Sequence, residues 1–489
     1  MGVPTDVIDY RPVLMVAGLL VATLGVFMMI PAIVDLFAGH ADWQVFAGSA
    51  IVTVFVGIGL FLSNRAELTE VGLREAFILT TVVWIILPAF AAVPFNFSEL
   101  NMSYTDAFFE AMSGLTTTGA TVITGLDGAP PGLLIWRALL QWLGGVGVVV
   151  MAIAVLPILQ VGGMQLFRME SSENSPDKVM PRTTQIVAAI GSIYLLLTIT
   201  CAISLWLAGM SVFDAVAHSM TAISTAGFST HDLSIGHFDS AAIDWIVTLF
   251  MALGALPFLL YFRAVQGQPV ALLRDSQVRW FLGILGLFIA AMALLQILRH
   301  GTGVADALRY AAFNVTSVMT GTGYATTDYG LWGGFAVCAF FFIMFIGGCA
   351  GSTSCGIKIF RFQVIFETAR MQMLQLWQPN RIVIPHYNGR PLPDTAIESV
   401  MSFLFLFLLS FSLLTLALTA LGLDFVTAVS GAATAIANVG PGLGDIIGPS
   451  GNFQPLPDTA KWLLSGGMLI GRLELFTVLV LFTRRFWQI

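Results

Sequence analysis

Charge is what this sequence has least of. Only 10% of its 489 residues are Asp, Glu, Lys or Arg, whereas 57% are hydrophobic, and the mean hydropathy is +0.88. Soluble domains carry about 25% charged residues, so a water-soluble globule is excluded. Cysteine is scarce too. Cys201, Cys338, Cys349 and Cys355 all fall in or beside apolar stretches, which excludes a disulfide framework and marks them as small packing side chains. The patterns HExxH, GxSxG and DDxxD are missing, so no set of base, nucleophile or metal ligands supports an enzyme. There is no P-loop and no GxGxxG, so any nucleotide is expected on a partner and not on this chain. The opening MGVPTDVIDYRP has two acids before its first arginine, the wrong charge for a secretory signal, and the first helix is expected to be retained. No nucleic-acid partner is expected.

What is present is apolar helix. Stretches long enough to cross about 30 Å of hydrocarbon lie near 12–37, 43–62, 76–95, 134–160, 184–209, 241–262, 280–298, 396–421 and 460–483. A tenth, 331–376, is broken by glycines at its centre. The expected organisation is an N-terminal two-helix unit (1–70) followed by four units at 71–165, 183–265, 278–376 and 393–489. Each unit runs from an apolar helix through a short amphipathic segment and a turn to a second apolar helix.

The turns read GLTTTGATV, AISTAGFST, VMTGTGYAT and AIANVGPGL, and without gaps they align Gly119, Gly227, Gly323 and Gly440. Three positions earlier stand Thr116, Ser224, Thr320 and Ala437. Next come Thr117, Thr225, Gly321 and Asn438, then Thr118, Ala226, Thr322 and Val439. Each short segment before a turn is opened by an acid, Asp106, Asp214, Asp306 or Asp424, as suits a helix N-terminus. At about 1.5 Å per residue such a segment reaches only halfway through a bilayer and must turn back.

Placing the units in one orientation by the positive-inside rule leaves only Arg137, Arg299, Arg309, Lys461 and Arg472 of the 21 basic residues outside or within the membrane. The turns then face the outer half, beneath a mouth lined by acids that include Glu110, Asp127 and Asp232. Irregular backbone at membrane depth is tolerated where it is buried in protein or lines a water-filled cavity. Four glycine turns on one axis can aim carbonyl oxygens at a dehydrated monovalent cation, with the negative ends of the short helices behind them. Close packing of re-entrant loops is the simpler role the same glycines allow.

Two further features point to transport. After FFIMFI the third unit loses helix formers at Gly347 and Gly348 and runs through Gly351, Ser352, Thr353 and Gly356, then restarts at Lys358. Small residues of poor helix propensity in mid-membrane suit a gate; the plainer reading is a short span followed by an ordinary cytoplasmic loop. Arg472 lies within the last apolar stretch, where a lone arginine must face water or a partner, and it is expected to face the pore. Glu474 is out of step with it on a helix. On the cytoplasmic side QPNRIVIPHYNGRPLPD reads as a hairpin-like docking element, beside compact basic loops at 162–182 and 263–279.

With its four glycine turns, GGCAGSTSCGIKIFR (347–361) and GRLELFTVLVLF (471–482), nearly the whole chain resembles the Trk/Ktr/HKT superfamily, most closely its bacterial TrkH/TrkG branch. The resemblance implies an all-α integral membrane protein with two N-terminal helices and four helix, pore-loop, helix repeats around a pseudo-fourfold pore. It implies potassium uptake across a bacterial inner membrane, with the filter facing outside and a potassium ion touching Thr117, Thr118, Thr225, Ala226, Gly321, Thr322, Asn438 and Val439. It also implies that the 347–358 loop gates, that Arg472 sets the pore potential, and that the chain forms a homodimer in membrane lipid carrying a cytosolic TrkA-like nucleotide-binding ring. The alternative is a secondary transporter coupling potassium to protons or sodium, since broken helices serve such proteins as well.

Overall fold

A computed structural model describes residues 8–65, 72–151 and 179–488. The end of the 134–160 stretch, the first seven residues and most of the basic loop at 162–182 lie outside the described residues. What is described is almost entirely helical, and the one sheet is the two-stranded hairpin β1 (His386–Tyr387) and β2 (Arg390–Pro391). Asn388 and Gly389 make its turn with φ of 51° and 80°, the double positive φ of a type I′ hairpin. Asn388 Nδ2 donates to Asp275 at 3.0 Å, fastening the hairpin to the helix that follows that aspartate.

The chain opens with α1 (Tyr10–Phe27), α2 (Met29–Ala38) and α3 (Trp43–Ser63). The first succession is α4 (Leu73–Phe97), α5 (Tyr104–Leu115) and α6 (Pro131–Val150). The second is α7 (Val179–Leu207), α8 (Val212–Ile223), α9 (Ala241–Gly254) and α10 (Phe258–Val265). The third is α11 (Ser276–His300), α12 (Val304–Thr320), α13 (Gly334–Ile343) and α14 (Ile359–Trp377). The last is α15 (Asp394–Ala420), α16 (Phe425–Ala437), α17 (Asp458–Arg472) and α18 (Phe476–Leu479).

Among the described residues seven helices are long and apolar enough to cross a membrane, and two bent pairs would raise the number to nine. The bent pairs correct the expectation of unbroken spans at 241–262 and 460–483. α9 and α10 meet at 93° across the segment ending in Pro257, and α17 meets the segment that begins at α18 at 108°. The second bend is built on two successive residues of positive φ, Glu474 at 61° and Leu475 at 42°. A helix cannot pass through such residues.

The four short helices α5, α8, α12 and α16 have 12, 12, 17 and 13 residues. Their inner turns are buried all round: every residue from Ala107 to Leu115 in α5, and from Ser430 to Ala437 in α16. Helices apolar on every face belong in an interior. Their starts differ from expectation in one respect. In α5 and α8 the N-cap is Ser103 or Ser211, whose hydroxyl accepts from the backbone N–H of Asp106 or Asp214 at 3.2 and 3.0 Å and donates to its carboxylate at 2.8 and 2.7 Å. The acid therefore stands three residues inside, bonded to the cap's hydroxyl; only Asp424 is itself a cap, accepting from Thr427 N–H at 3.1 Å. The N-terminal helices lock onto this assembly where Asp35 of α2 accepts from Gly132 N–H at 2.5 Å, at the positive end of α6.

Candidate functional site

The four turns are made the same way. Each short helix ends in a residue of positive φ: Thr117 (52°), Thr225 (49°), Gly321 (75°) and Asn438 (52°). The next residue's N–H reaches back five positions, Thr118 to Ser113, Ala226 to Thr221, Thr322 to Ser317 and Val439 to Thr434, at 2.8–3.1 Å. That is a left-handed helix cap, which glycine normally fills. Here it is filled twice by threonine, a β-branched residue for which positive φ is a genuine outlier. Such geometry costs of order 1–3 kcal/mol per residue and persists where the surroundings enforce it.

Two positions on, Gly119, Gly227, Gly323 and Gly440 all have positive φ, at 85°, 79°, 84° and 106°. A side-chain carbon on Gly119 would overlap the Ala226 carbonyl oxygen, one on Gly227 the Thr322 oxygen, and one on Gly323 the Val439 oxygen. On Gly440 it would stand 2.8 Å from the Thr118 oxygen. The first turn thus lies against the second, the second against the third, the third against the fourth, and the fourth against the first. A chain that returns to its start in this way surrounds an axis.

The hydroxyls of the ring are tied into it. Thr116 donates to Met112 O at 2.7 Å and lies 2.8 Å from the Thr118 hydroxyl; Thr320 and Thr322 repeat the arrangement with Thr316 O, at 2.8 and 2.7 Å. Ser224 donates to Met220 O at 2.8 Å. The fourth turn has no hydroxyl but has Asn438, whose Nδ2 donates to Thr118 Oγ1 at 2.9 Å and to Met468 O at 3.0 Å. Its Oδ1 is buried without a partner. Ala226 O accepts from Gln141 Nε2 at 2.7 Å, while Gln141 Oε1 accepts from Phe228 N–H at 2.9 Å. One side chain on α6 therefore clamps both sides of Gly227.

Directly beneath, the segment from Ile346 to Lys358 crosses the interior. Residues 352–354 are no more than 1% exposed; Ser352 donates within the loop to Cys349 O at 2.6 Å, and the hydroxyls of Thr353 and Ser354 bind helix ends. Thr353 donates to Ile223 O at 3.0 Å and to Gly254 O at 2.9 Å, and accepts from the Thr225 hydroxyl at 3.2 Å. Ser354 donates to Thr320 O at 2.7 Å, and Cys355 Sγ lies 3.8 Å from Thr117 Oγ1. Carbonyls at a helix C-terminus have no partner within the helix and carry partial negative charge; here the loop supplies the donors. Its backbone fills the bend after α9, with Cys349 N–H on Ala255 O at 3.0 Å and Phe258 N–H on Gly351 O at 2.9 Å. Gly347 and Gly356 are pressed together, since a side-chain carbon on Gly347 would overlap the Cys355 carbonyl. Arg472, 5% exposed, closes the fourth side by donating to Thr353 O at 3.3 Å and to the Cys355 sulfur.

A family model described as "TrkH: Cation transport protein" matches residues 42–489. The chain belongs to the TrkH family. It is 46% identical to the Trk system potassium uptake protein TrkI of Halomonas elongata, over 98% of this chain and 97% of that one. It is 38% identical to the Trk system potassium uptake protein TrkH of Salmonella typhimurium, over 98% and 99%. The crystal structure of the potassium transporter TrkH from Vibrio parahaemolyticus matches with a TM-score of 0.91 at 37% identity, covering 98% of this chain and all of that one. The chain is accordingly an all-α, multi-pass membrane protein of a cation transport family.

The sixteen turn residues that sequence reading singled out meet in the ring. Ser352, Thr353 and Lys358 meet with Gly347, Gly348, Gly351 and Gly356 in the segment below it. Lys358 Nζ turns back onto Ser354 O. What it missed are the charges that hold these parts. Glu110 and Arg137, 0% and 1% exposed, form an ion pair at 2.8 Å; Arg137 also donates to Ser229 O at 2.7 Å and lies 4.1 Å over the Phe228 ring. Glu110 in turn accepts from Val122 N–H at 3.0 Å. Glu474 pairs with Arg361 of α14, whose guanidinium covers Phe403 at 3.6 Å. A charge inside an apolar helix is the signal that finds such groups; their partners are distant in sequence.

The acidic mouth also needs correction. Glu110 is neutralised by Arg137, Asp106 by Lys461 at 2.6 Å, and Asp244 faces Arg309 at 3.6 Å. Burial within protein brings these acids to their partners, and fewer free carboxylates face the entrance than the charge map predicts. Both ring nitrogens of His218 are engaged, 2.8 Å from Asp214 O and 2.9 Å from Ser229 Oγ.

Proposed function

We propose that this chain conducts potassium into a bacterial cell across the inner membrane, through the ring of turns acting as a selectivity filter that faces outside. The single observation that carries this reading is the closed succession of four glycine contacts at the C-terminal ends of four buried half-helices. Carbonyl rings of this kind replace the hydration shell of a monovalent cation, and helix C-termini favour positive charge. The names of the relatives add the ion, since TrkI of Halomonas elongata and TrkH of Salmonella typhimurium are potassium uptake proteins. Potassium is the cargo, held at the residues two and one before each glycine: Thr117 and Thr118, Thr225 and Ala226, Gly321 and Thr322, Asn438 and Val439.

In this reading the chain divides at 1–70, 71–165, 183–265, 278–376 and 393–489, and the 347–358 loop is a closed gate. Its hydroxyls sit on the carbonyls that a cation leaving the filter would meet. Arg472 adds positive charge at the same level. Below the loop, a cavity of about 30 Å³ between Arg361, Arg472 and Glu474 has room for little more than one or two waters. Opening would require the hydrogen bonds of Thr353, Ser354 and Arg472 to break together. The force for that would come from a cytosolic TrkA-like nucleotide-binding ring docked on a homodimer, with the hairpin at 386–391 within reach of it. The chain is not an enzyme in this account.

Rubidium or potassium uptake into a potassium-transport-deficient bacterium tests it. The parent chain restores selective uptake, and Gly119→Ser and Gly440→Ser lose selectivity at unchanged membrane abundance. Normal selective uptake by both variants sinks the filter assignment. Reversal potentials in liposomes that shift with pH or with sodium would favour coupled transport instead.

A further inference from the structure

Two loops from different parts of the chain meet at the outer end of the structure, and they bring a carboxylate and two imidazoles together. Asp127 comes from the loop between α5 and α6, and His231 and His237 from the loop between α8 and α9. Their ligand atoms all lie within 4.8 Å of one another. His231 Nδ1 is 2.5 Å and His237 Nδ1 3.8 Å from the same oxygen, Asp127 Oδ1. The imidazoles lie parallel, 3° apart in tilt and 3.6 Å between centroids. Two imidazolium rings stacked face to face would repel. Two imidazole nitrogens beside one carboxylate offer three donors that a metal ion could take in place of the proton shared by His231 and Asp127.

The surroundings hold it in place. Phe238 stands edge-on to both imidazoles, at 5.2 and 5.3 Å. Asp232 accepts from Gly125 N–H at 3.0 Å, tying the first loop to the second two residues before Asp127. The His231 side of the cluster is only 18% exposed, and its Nε2 is buried without a hydrogen bond, 3.6 Å from the Asp214 carboxylate. His237, 42% exposed, leaves one side of the cluster open to solvent.

We propose that Asp127, His231 and His237 form a transition-metal site of the Zn²⁺ class at the outer mouth, and that an ion held there lowers cation uptake. Two imidazoles and a carboxylate suit Zn²⁺, with a fourth position for water. Binding requires the His231 nitrogen and the Asp127 oxygen, 2.5 Å apart, to separate and the two rings to leave their parallel stack, so that the three donors reach Zn–N and Zn–O distances of about 2.0–2.2 Å. The link to flux rests on the filter reading above and on Ser229, two residues after Gly227. Its hydroxyl accepts from His231 N–H at 3.1 Å and its carbonyl from Arg137. A dication fixed beside the entrance also repels incoming cations, and it would staple the first turn's loop to the second's.

The test uses the full chain purified without a histidine tag. Calorimetric titration with Zn²⁺ alone is expected to give about one ion per chain, and Co²⁺ is expected to give tetrahedral absorption bands. His237→Ala and Asp127→Asn should each weaken binding by roughly tenfold or more, since loss of even an outer partner of a metal ligand costs about 10- to 100-fold. His386→Ala, on the distant hairpin, should leave binding unchanged. External Zn²⁺ should lower rubidium uptake by cells carrying the parent chain and spare those carrying His237→Ala. No Zn²⁺ binding, or binding indifferent to both substitutions, overturns the site. Zn²⁺ bound with uptake unaffected overturns its action on flux. Failure of the parent chain to take up rubidium, with Zn²⁺ binding intact, counts against the filter reading and leaves the site standing.

Discussion

The ring of turns and the loop beneath it are built on opposite plans. The ring is one motif used four times, each copy ending a half-helix in a residue of positive φ and packing its glycine on the next copy's carbonyl. The loop occurs once, and it is attached by separate hydrogen bonds to parts drawn from around the ring, among them Thr353 to Ile223 O, Ser354 to Thr320 O and Arg472 to Thr353 O. Packing without slack resists change at any point. A set of separate hydrogen bonds, each worth about 1 kcal/mol net, can be broken together by a modest force. Repetition suits a part that must keep its shape, and a segment used once and held by separable bonds suits one that can move.

The comparison is broken most severely by putting a side chain into the ring. Gly227→Ala places a methyl on the Thr322 carbonyl at a residue with φ of 79°. The backbone strain alone costs roughly 1–2 kcal/mol and the overlap adds to it. Rubidium uptake should be abolished at near-normal membrane abundance, and retained selective uptake would mean that the turns do not face one another in the working protein.

Next in size is the frame around the ring. Glu110→Gln leaves Arg137 buried without its counter-charge, a loss of about 3–5 kcal/mol, seen as a lower melting temperature in detergent. Replacing both, Glu110→Gln with Arg137→Met, should recover part of that loss, because the unpaired charge is then gone. A double variant as unstable as the sum of two singles would show that the pair does not act as a unit.

Loop substitutions should act in the other direction. Thr353→Val and Ser354→Ala each remove donors worth about 0.5–1.5 kcal/mol from the conformation in which the loop lies across the axis. Each should raise uptake by several fold, and Arg472→Ala should raise it as well. Lower uptake with intact abundance would make the loop a part of the path and not a barrier in it. The smallest effect should come from Thr117→Gly, which relieves a β-branched residue at φ of 52°. A gain of up to about 1 kcal/mol in stability, read as a rise in melting temperature with selectivity kept, sharpens the view that the ring stores strain.

How much of this the sequence discloses depends on whether a feature repeats. The four glycines stand out because they align, and the apolar lengths between them give the fold class. Asn438 already looks unequal in that alignment, but its bonds to Thr118 and Met468 are invisible without coordinates. The break after FFIMFI can be read from Gly347 and Gly348, whose propensity is poor. The bend at Glu474 and Leu475 cannot, because both are good helix formers held at positive φ by tertiary contacts. Glu110 with Arg137, and Arg361 with Glu474, are 27 and 113 residues apart. No local pattern joins them.

The closed ring has a genetic consequence. In a pore assembled from four identical subunits, one codon change alters every wall at once, and any compromise must suit all four. Here each wall has its own codons, so a substitution edits a single quadrant while three others hold the shape. Asn438 illustrates this: where the first two quadrants carry threonine, the fourth carries a carboxamide that reaches across to Thr118. One gene can thus alter one side of the ring without rewriting the rest.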